Sequence, residues 1–556
     1  MCLLLAMQTS HGNLHLEIQT SRKSPVGILR TSFRENGKMK HTQHGRITGC
    51  SLEQLNLLQL AFREQVIPAD DKTAFHILNS REYGASYAIR TVAQQLGLHK
   101  VLYSRPESWV NSVLAMIVGR IVFAGSKLSL CNHHPNTCLW EVCGVLETPD
   151  VDKNCYEPMD KLLGRQTAIQ KKLAAQHLQA DHLVLYDITS IYFEGAYKQS
   201  ELVTFGYNRD RKKGREQIVV GLICDEQGCP VGVEVYSGNT KDETTVMDKI
   251  HEIKTSYNIG KIIFVGDRGM VTHHNVEALK DETDLQMISA LTHSEMMKLY
   301  RKNVIEMDLF DEKTINEIED PEEPGRRYCL CRNPSTAKRS RDTRQRLLNL
   351  TETGLKEIAA YKRKITVEKL GARVGKVLAK YKMGKFIQWT IDADENASIS
   401  QRHHLEWSID TSKVAHEQCF DGCYVISTDV DKERLNTKEV VHAYKSLTHV
   451  ERAFRNLKTI QLEVRPVHHK NDDRIRSHVF LCMLAYYLQW HMEQRLRPLF
   501  NSDGKAKERR WTFRGVIECL AQLTCNKVSV NGAQFYQNSI PTSEQKQILE
   551  LLGVPL

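Results

Sequence analysis

Leu183-Val-Leu-Tyr-Asp187 is an apolar run of buried-strand character closed by an acid. Two more strand-like runs follow, Gln217-Ile-Val-Val-Gly-Leu-Ile-Cys224 and Val231-Gly-Val-Glu-Val-Tyr236. The polar turn Asp225-Glu-Gln-Gly228 separates them, so the three predict a meander. A helix is expected from Thr244 to Thr255, then a fourth strand in Lys261-Ile-Ile-Phe-Val-Gly-Asp267. A second helix from His274 to Lys280 leads to a fifth strand, Gln286-Met-Ile-Ser-Ala290.

Three antiparallel strands followed by alternating helix and strand is the order of an RNase-H-like α/β fold, which the sequence therefore predicts. At 556 residues the chain exceeds one ordinary core, so several domains are expected. Residues 1–178 read as a mainly helical N-terminal region, with polar, irregular sequence up to residue 50 and a possible hairpin at Glu35-Asn-Gly37. Helices are expected from Ser51, from Tyr83 to a closing Gly97, from Trp109 to Ala124 and from Lys161 to Leu178. Such short helices suit either a helix-turn-helix DNA reader or a plain helical support. Residues 179–291 form the first part of the α/β core. Residues 292–435 read as a basic insertion domain of mixed α and β, with strands near Phe386–Ile391 and Gly422–Ser427. Residues 436–495 return to the core, and residues 496–556 read as a small tail.

The chain carries 76 Lys and Arg against 67 Asp and Glu, a net charge of +9 that suits a polyanionic partner. The excess is local: Thr336 to Lys385 holds 15 basic and 4 acidic residues, a net of +11. That block reads either as a solvated helical face or as a phosphate-contacting surface. Fifteen cysteines are scattered without a disulfide rhythm, which suits a reducing cytosol. Cys131, Cys138 and Cys143, with His133 and His134 between them, are the best zinc candidates, although their spacing follows no common zinc motif. No run of about 18 apolar residues predicts a membrane span. The apolar start Met1–Met7 is short, lacks a positive leading region and is not read as a signal peptide.

Asp187 and Asp267 each close or punctuate an apolar run, where burying an acid is costly unless it meets something charged. The competing readings are a strand-end cap for Asp187 and a helix N-cap for Asp267. Thr189, Ser190, Tyr192 and Glu194 are polar enough to line a site beside Asp187. Tyr444-Lys-Ser-Leu-Thr-His-Val-Glu451-Arg-Ala-Phe-Arg-Asn-Leu-Lys458 reads as one amphipathic helix. Its Tyr444, Glu451 and Lys458 are seven apart, drifting only about 20° per step, and so share a face. Arg455 is a second phosphate-binding candidate or an intrahelical partner of Glu451. Arg465, His468, His469, Lys470, Arg474, Arg476 and His478 follow as either a basic patch or solvated loop charges. Three carboxylates from separate elements, with bases alongside, are what two-metal phosphodiester chemistry requires.

Tyr186-Asp-Ile-Thr-Ser190 with Phe193-Glu-Gly195, Ser237-Gly-Asn-Thr-Lys-Asp242, Gly266-Asp-Arg-Gly-Met270 and the Tyr444–Lys458 segment resemble the DDE transposases of bacterial insertion sequences. The order and spacing suit the branch with a large insertion before the catalytic glutamate. The likeness runs from about residue 80 to 490, and Gly84-Ala-Ser-Tyr-Ala-Ile89 and Leu139-Trp-Glu-Val-Cys-Gly-Val145 share it. It implies an RNase-H-like core in which Asp187, Asp267 and Glu451 are the catalytic metal ligands for two Mg²⁺ ions, with Mn²⁺ able to substitute. It implies DNA or phosphate contacts at Tyr444, Lys458, Arg455, Arg268 and Arg465. The wider family's helix signature is Tyr-x2-Arg-x3-Glu-x6-Lys; Leu447 stands in the arginine position, and Arg455 is the arginine on the same face. The implied partners are double-stranded DNA, as terminal inverted repeats and target, and a second copy of the chain as a homodimer in the DNA complex. The implied location is the bacterial cytoplasm, at the nucleoid during the reaction. The alternatives are an inactive DNA-binding relative and a nuclease of the same fold that cuts without joining.

Overall fold

The computed structural model describes residues 14–20, 24–35, 37–64, 75–178, 183–207, 214–240, 262–268, 285–311, 315–319, 321–361, 365–393, 403–460, 462–500, 511–530 and 533–555. The chain divides into two units. One comprises residues 1–92, 128–149 and 495–556; the other comprises residues 93–127 and 150–494.

In the first unit, β1 (Leu14–Gln19), β2 (Val26–Glu35) and β3 (Lys38–Ile47) form an antiparallel meander. β2 and β3 pair from Glu35 with Lys38 outward, on either side of the expected turn, so the flanking sequence is not irregular. Leu14, Leu16 and Ile18 alternate with polar residues along β1, the period of a half-buried strand. Leu16 and Ile28 are buried, as is Leu55 of the Leu52–Glu64 helix. A further strand, β4 (Phe75–Glu82), interrupts the region read as helical. It pairs with Thr524–Val530, which pairs with Ala533–Asn538, so two strands from the residues read as a small tail complete this sheet.

The second unit is built on an eight-stranded sheet. Its strands are β5 (Leu183–Tyr192), β6 (Gln217–Asp225), β7 (Pro230–Ser237), β8 (Ile262–Gly266), β9 (Leu285–Ala290), β10 (Asn316–Glu319), β11 (Arg327–Arg332) and, after the hairpin β12 (Ile387–Ala393) and β13 (His403–Ile409), β14 (Cys423–Thr428). The order is β10-β11-β14-β9-β8-β5-β6-β7. β5, β6 and β7 are the expected meander. β8 lies parallel to β5, and β9 parallel to β8. Every residue of β8 is buried, as its unbroken Ile-Ile-Phe-Val-Gly run requires of a parallel strand covered on both faces. The helices expected at residues 244–255 and 274–280 lie outside the described residues.

The insertion is continuous with the core sheet. β14 pairs antiparallel with β9, and β11 and β10 follow outward. Between β11 and β14 the chain leaves the sheet through the Pro334–Ala359 helix, whose cap is the Asn333 side chain accepting from the Thr336 N–H at 3.2 Å. That helix, the Val367–Tyr381 helix and the β12–β13 hairpin share an apolar cluster that includes Leu348, Leu355, Val374, Phe386 and Leu405. At the opposite edge the Gln166–His177 helix covers β7. Gln170 accepts from the Val233 N–H at 2.7 Å and Gln166 donates to the Val233 carbonyl at 2.9 Å, which occupies part of an otherwise open edge. The long Asp472–Arg495 helix is buried from Ser477 to Gln489 and carries the apolar run predicted for it. None of the described helices is long and apolar enough to cross a membrane.

Candidate active site

Register sets two of the acids. Tyr186 of β5 stands level with Gly266, the last residue of the parallel strand β8, so Asp187 and Asp267 are the next residues on two adjacent segments. Asp187 does not end its strand. Ile188-Thr-Ser-Ile-Tyr192 keeps the β-branched and aromatic character of the run, and β5 continues for five residues past the acid, paired with β6. Asp267 is the first residue beyond β8 and is exposed. Its Oδ1 accepts from the Arg268 N–H at 2.7 Å and from the Tyr444 hydroxyl at 3.3 Å, and its carbonyl accepts from the Ser289 hydroxyl at 3.3 Å.

The third acid arrives on a helix that differs from the expected one. The segment Tyr444–Lys458 is not a single helix: Thr437–Lys445 and Leu447–Arg455 are separate, joined through Ser446, and Asn456–Ile460 form a π-helical turn. Ser446 is buried, and its hydroxyl donates to the His442 carbonyl at 3.1 Å, a local bond of the kind that bends helices. Leu447, Val450, Ala453 and Phe454 bury one side of the second helix, which packs on β5 and leaves Glu451 exposed. Of the seven-residue stripe, Tyr444 and Glu451 share one cleft lining, and Lys458, in the π turn, is not on it.

Asp187, Asp267, Arg268, Tyr444, Leu447 and Glu451 line one open cleft of about 620 Å³. The rest of its lining includes, from the residues 292–435 read as an insertion, His293, Asn333, Thr336, Ser340, Lys385, Glu417 and Asp421, with Lys445 beyond them. Thr336, Ser340 and Lys385 belong to the basic block flagged in the sequence. The others had no local signal, since Glu417 and Asp421 meet Lys385 and Arg344 only through the fold. Burial beside the Asp267 carboxylate pushes the Tyr444 phenol up to about 12, so it remains a donor at neutral pH.

Lys458, Arg455 and Arg465 are not on the cleft lining. Arg455 is exposed, and Arg465 lies over the Tyr192 ring at 4.3 Å. Thr189 and Ser190 are buried within the sheet rather than lining the cleft. Of the basic run beyond Arg465, His469 and His478 are buried and held neutral. Desolvation, reinforced by Lys127 and other nearby cations, lowers His469 to about 3 and His478 well below its ordinary value. Arg474 covers the Tyr156 ring at 4.4 Å, and Arg476 donates to the Val235 carbonyl.

The three acids put oxygen donors, the type hard divalent cations take, on one cleft lining, but their oxygens do not all lie within 4.8 Å of one another. Cys131, Cys138 and Cys143 do not form a comparable centre. They are buried, and desolvation lifts the thiols of Cys138 and Cys143 to about 12. Among the described residues, the His/Cys/Asp/Glu group whose donor atoms all lie within 4.8 Å of one another is His177, Cys229 and His491.

The chain belongs to the transposase DDE domain family, whose family model matches residues 179–488. That range contains Asp187, Asp267 and Glu451. Among solved structures, the chain is similar to a piggyBac transposase synaptic complex with hairpin DNA, at 8% identity and a TM-score of 0.34, covering 79% of this chain and 76% of that one. No curated protein matches the chain.

Proposed function

We propose that this protein is the DNA transposase of an insertion-sequence element, with an RNase-H-like catalytic core. It cleaves phosphodiesters at the element's ends and joins the freed 3′-hydroxyls to target DNA. The observation that carries this reading is the register of Tyr186 with Gly266, which sets Asp187 beside Asp267, together with the packing of the Glu451 helix on β5 above them. Asp187, Asp267 and Glu451 are the residues that would hold two Mg²⁺ ions, or Mn²⁺ in their place. When bound, such ions activate the attacking oxygen and stabilise the leaving one.

The chain's own groups do the rest. The Tyr444 hydroxyl donates to Asp267 and fixes the orientation of that carboxylate. Arg268, Lys445 and Lys385 bring positive charge to the cleft, where a DNA backbone would run. Arg455, Lys458 and Arg465 lie outside the lining and serve as contacts to flanking phosphates. Two DNA ends require two active sites, so the working form is a homodimer on double-stranded DNA carrying the terminal repeats. The setting is the bacterial cytoplasm.

The test is cleavage of DNA bearing the element's own ends, in Mg²⁺, by the wild type and by Asp187→Asn, Asp267→Asn and Glu451→Gln. Loss of cleavage in all three is expected, and full activity in any one removes that residue from the site. Supplying pre-cut ends with free 3′-hydroxyls separates the alternatives. Joined product supports a transposase, and cutting without joining makes the protein a nuclease. End binding with neither step makes it an inactive DNA-binding relative.

A further inference from the structure

A second cluster of donor atoms lies away from the acidic cleft, with different chemistry. His177 ends the Gln166–His177 helix, Cys229 follows the β6–β7 turn, and His491 sits near the end of the Asp472–Arg495 helix. Their donor atoms all lie within 4.8 Å of one another. Cys229 Sγ is 3.9 Å from His491 Nε2. A tetrahedral zinc ion with ordinary Zn–S and Zn–N lengths holds sulfur and nitrogen roughly 3.6 Å apart, so little movement would close the site. Asp225 stands alongside, its Oδ2 3.9 Å from His177 Nδ1.

The surroundings are built rather than incidental. Cys229 is fully buried. Asp225 Oδ1 accepts from the N–H groups of Gln227 at 2.9 Å and Cys229 at 2.8 Å, so one turn fixes both the thiol and the carboxylate. His177 Nε2 lies 3.0 Å from the Tyr487 hydroxyl, the kind of outer contact that orients a ligating imidazole. The His491 ring is held edge-on between Tyr487 and Trp490, with centroids at 4.6 and 4.9 Å.

We propose that His177, Cys229 and His491 form a structural binding site for a zinc-class divalent ion, with Asp225, outside that group but 3.9 Å from His177, drawn in as the fourth donor. Two imidazoles and a thiolate select zinc over magnesium, whereas the cleft's oxygen donors select the reverse. With Asp225 drawn in, the ion would have four protein donors, the closed shell of structural zinc sites.

Its position gives it a task. Asp225 pairs with Val184, three residues before Asp187 on the neighbouring strand. The same turn meets the catalytic helix: His449 Nδ1 is 3.1 Å from the Glu226 carbonyl. Gly228 is in the left-handed region at φ +87°, and a Cβ there would stand 2.7 Å from His449 Cβ. On the other side, Arg452 donates to Glu493 at 3.2 Å, two residues beyond His491. Two of the three elements gathered by the ion, the β6–β7 turn and the Asp472–Arg495 helix, therefore touch the helix that carries Glu451.

The experiment measures zinc in full-length protein after exhaustive dialysis, by elemental mass spectrometry, for the wild type, Cys229→Ser, His491→Gln and Cys519→Ser. About one zinc per chain is expected in the wild type and Cys519→Ser, falling to about a tenth or less in the other two. Cobalt(II) loading gives an independent reading: a thiolate-to-cobalt absorption band is expected in the wild type and not in Cys229→Ser. Should Cys229→Ser fail to fold, His491→Gln carries the same comparison. Wild-type protein with only trace zinc and no cobalt–thiolate band overturns the proposal, as does equal zinc in the wild type and His491→Gln.

Discussion

Asp267 and Asp421 line the same cleft and are the same residue type, yet their surroundings are opposite. Asp267 is exposed at the end of β8, where its side chain accepts from a backbone N–H and from a tyrosine hydroxyl. Asp421, on the insertion wall, is 6% exposed, and both of its oxygens accept from the Arg344 guanidinium, Oδ1 at 3.0 Å. Glu417 beside it pairs with Lys385. On the insertion wall the acids are neutralised by the fold itself, and on the sheet wall they are presented to the cleft. An acid in a cavity is thus read by what holds its oxygens, not by its presence there.

The widest separation of the two walls is expected from Asp267→Asn. It keeps size and removes charge, so cleavage of the element's ends should fall by about 10³-fold or more, the scale of several kcal/mol of lost charge stabilisation. Thermal unfolding should stay within about 0.5 kcal/mol of the wild type. If Asp267→Asn loses stability and keeps cleavage, Asp267 belongs with Asp421 and the contrast collapses.

The reverse is expected of Asp421→Ala. It leaves the buried Arg344 guanidinium with only Glu417, 4.0 Å away, as an acidic neighbour, and the cost is expected to approach that of a broken buried pair, about 3–5 kcal/mol. Denaturant unfolding measures this, and Asp421→Ala combined with Arg344→Leu should recover much of the loss. A cost below about 1 kcal/mol would show that solvent reaches the pair and that the insertion wall is not held by it.

What the sequence made legible follows the same division. The sheet wall was readable because β5, β6, β7, β8 and β9 are apolar runs separated by turn residues, and the two aspartates punctuate two of those runs. The break at Ser446 was not, since the apolar spacing continues across it and only the buried serine's bond to the previous turn marks the change. The strand β11, Arg-Tyr-Cys-Leu-Cys-Arg, escaped notice because it is short and flanked by charge, although it is buried between β10 and β14. Arg344 and Asp421 are 77 residues apart, and Cys229 and His491 are 262 apart. Partnerships of that kind are made by tertiary packing, which leaves no spacing to read.

Tyr444→Phe tests how far the sheet wall depends on its one hydroxyl contact. A hydrogen bond to a charged acceptor contributes about 1.5–3 kcal/mol, and the 3.3 Å length places this one at the lower end, so about a tenfold loss of cleavage is expected. The phenol is raised to about 12 from an ordinary value near 10. It favours the neutral form in the folded protein, so its contribution is complete below about pH 10 and is lost as pH rises through about 12. The ratio of wild-type to Tyr444→Phe rates should therefore stay nearly flat from pH 7 to about 10.5. A ratio that has already fallen by half near pH 10 would mean the tyrosine titrates in the open cleft like a surface group.

Lys385→Ala is the mildest change and probes the insertion wall from its DNA side. Lys385 and Glu417 are both substantially solvent-accessible, at 56% and 35%, so their ion pair contributes little to folding. Unfolding should move by no more than about 0.5 kcal/mol. The lysine nevertheless lines the same cleft as the three acids, where a phosphate backbone would pass. Losing one phosphate contact reduces the slope of log affinity against log salt by about 1 and weakens low-salt binding a few-fold, equally for specific and unrelated DNA. Fluorescence anisotropy across a salt series measures both. An unchanged slope would assign Lys385 to Glu417 alone, leaving Arg268 and Lys445 as the cleft's phosphate contacts and the insertion wall as scaffold.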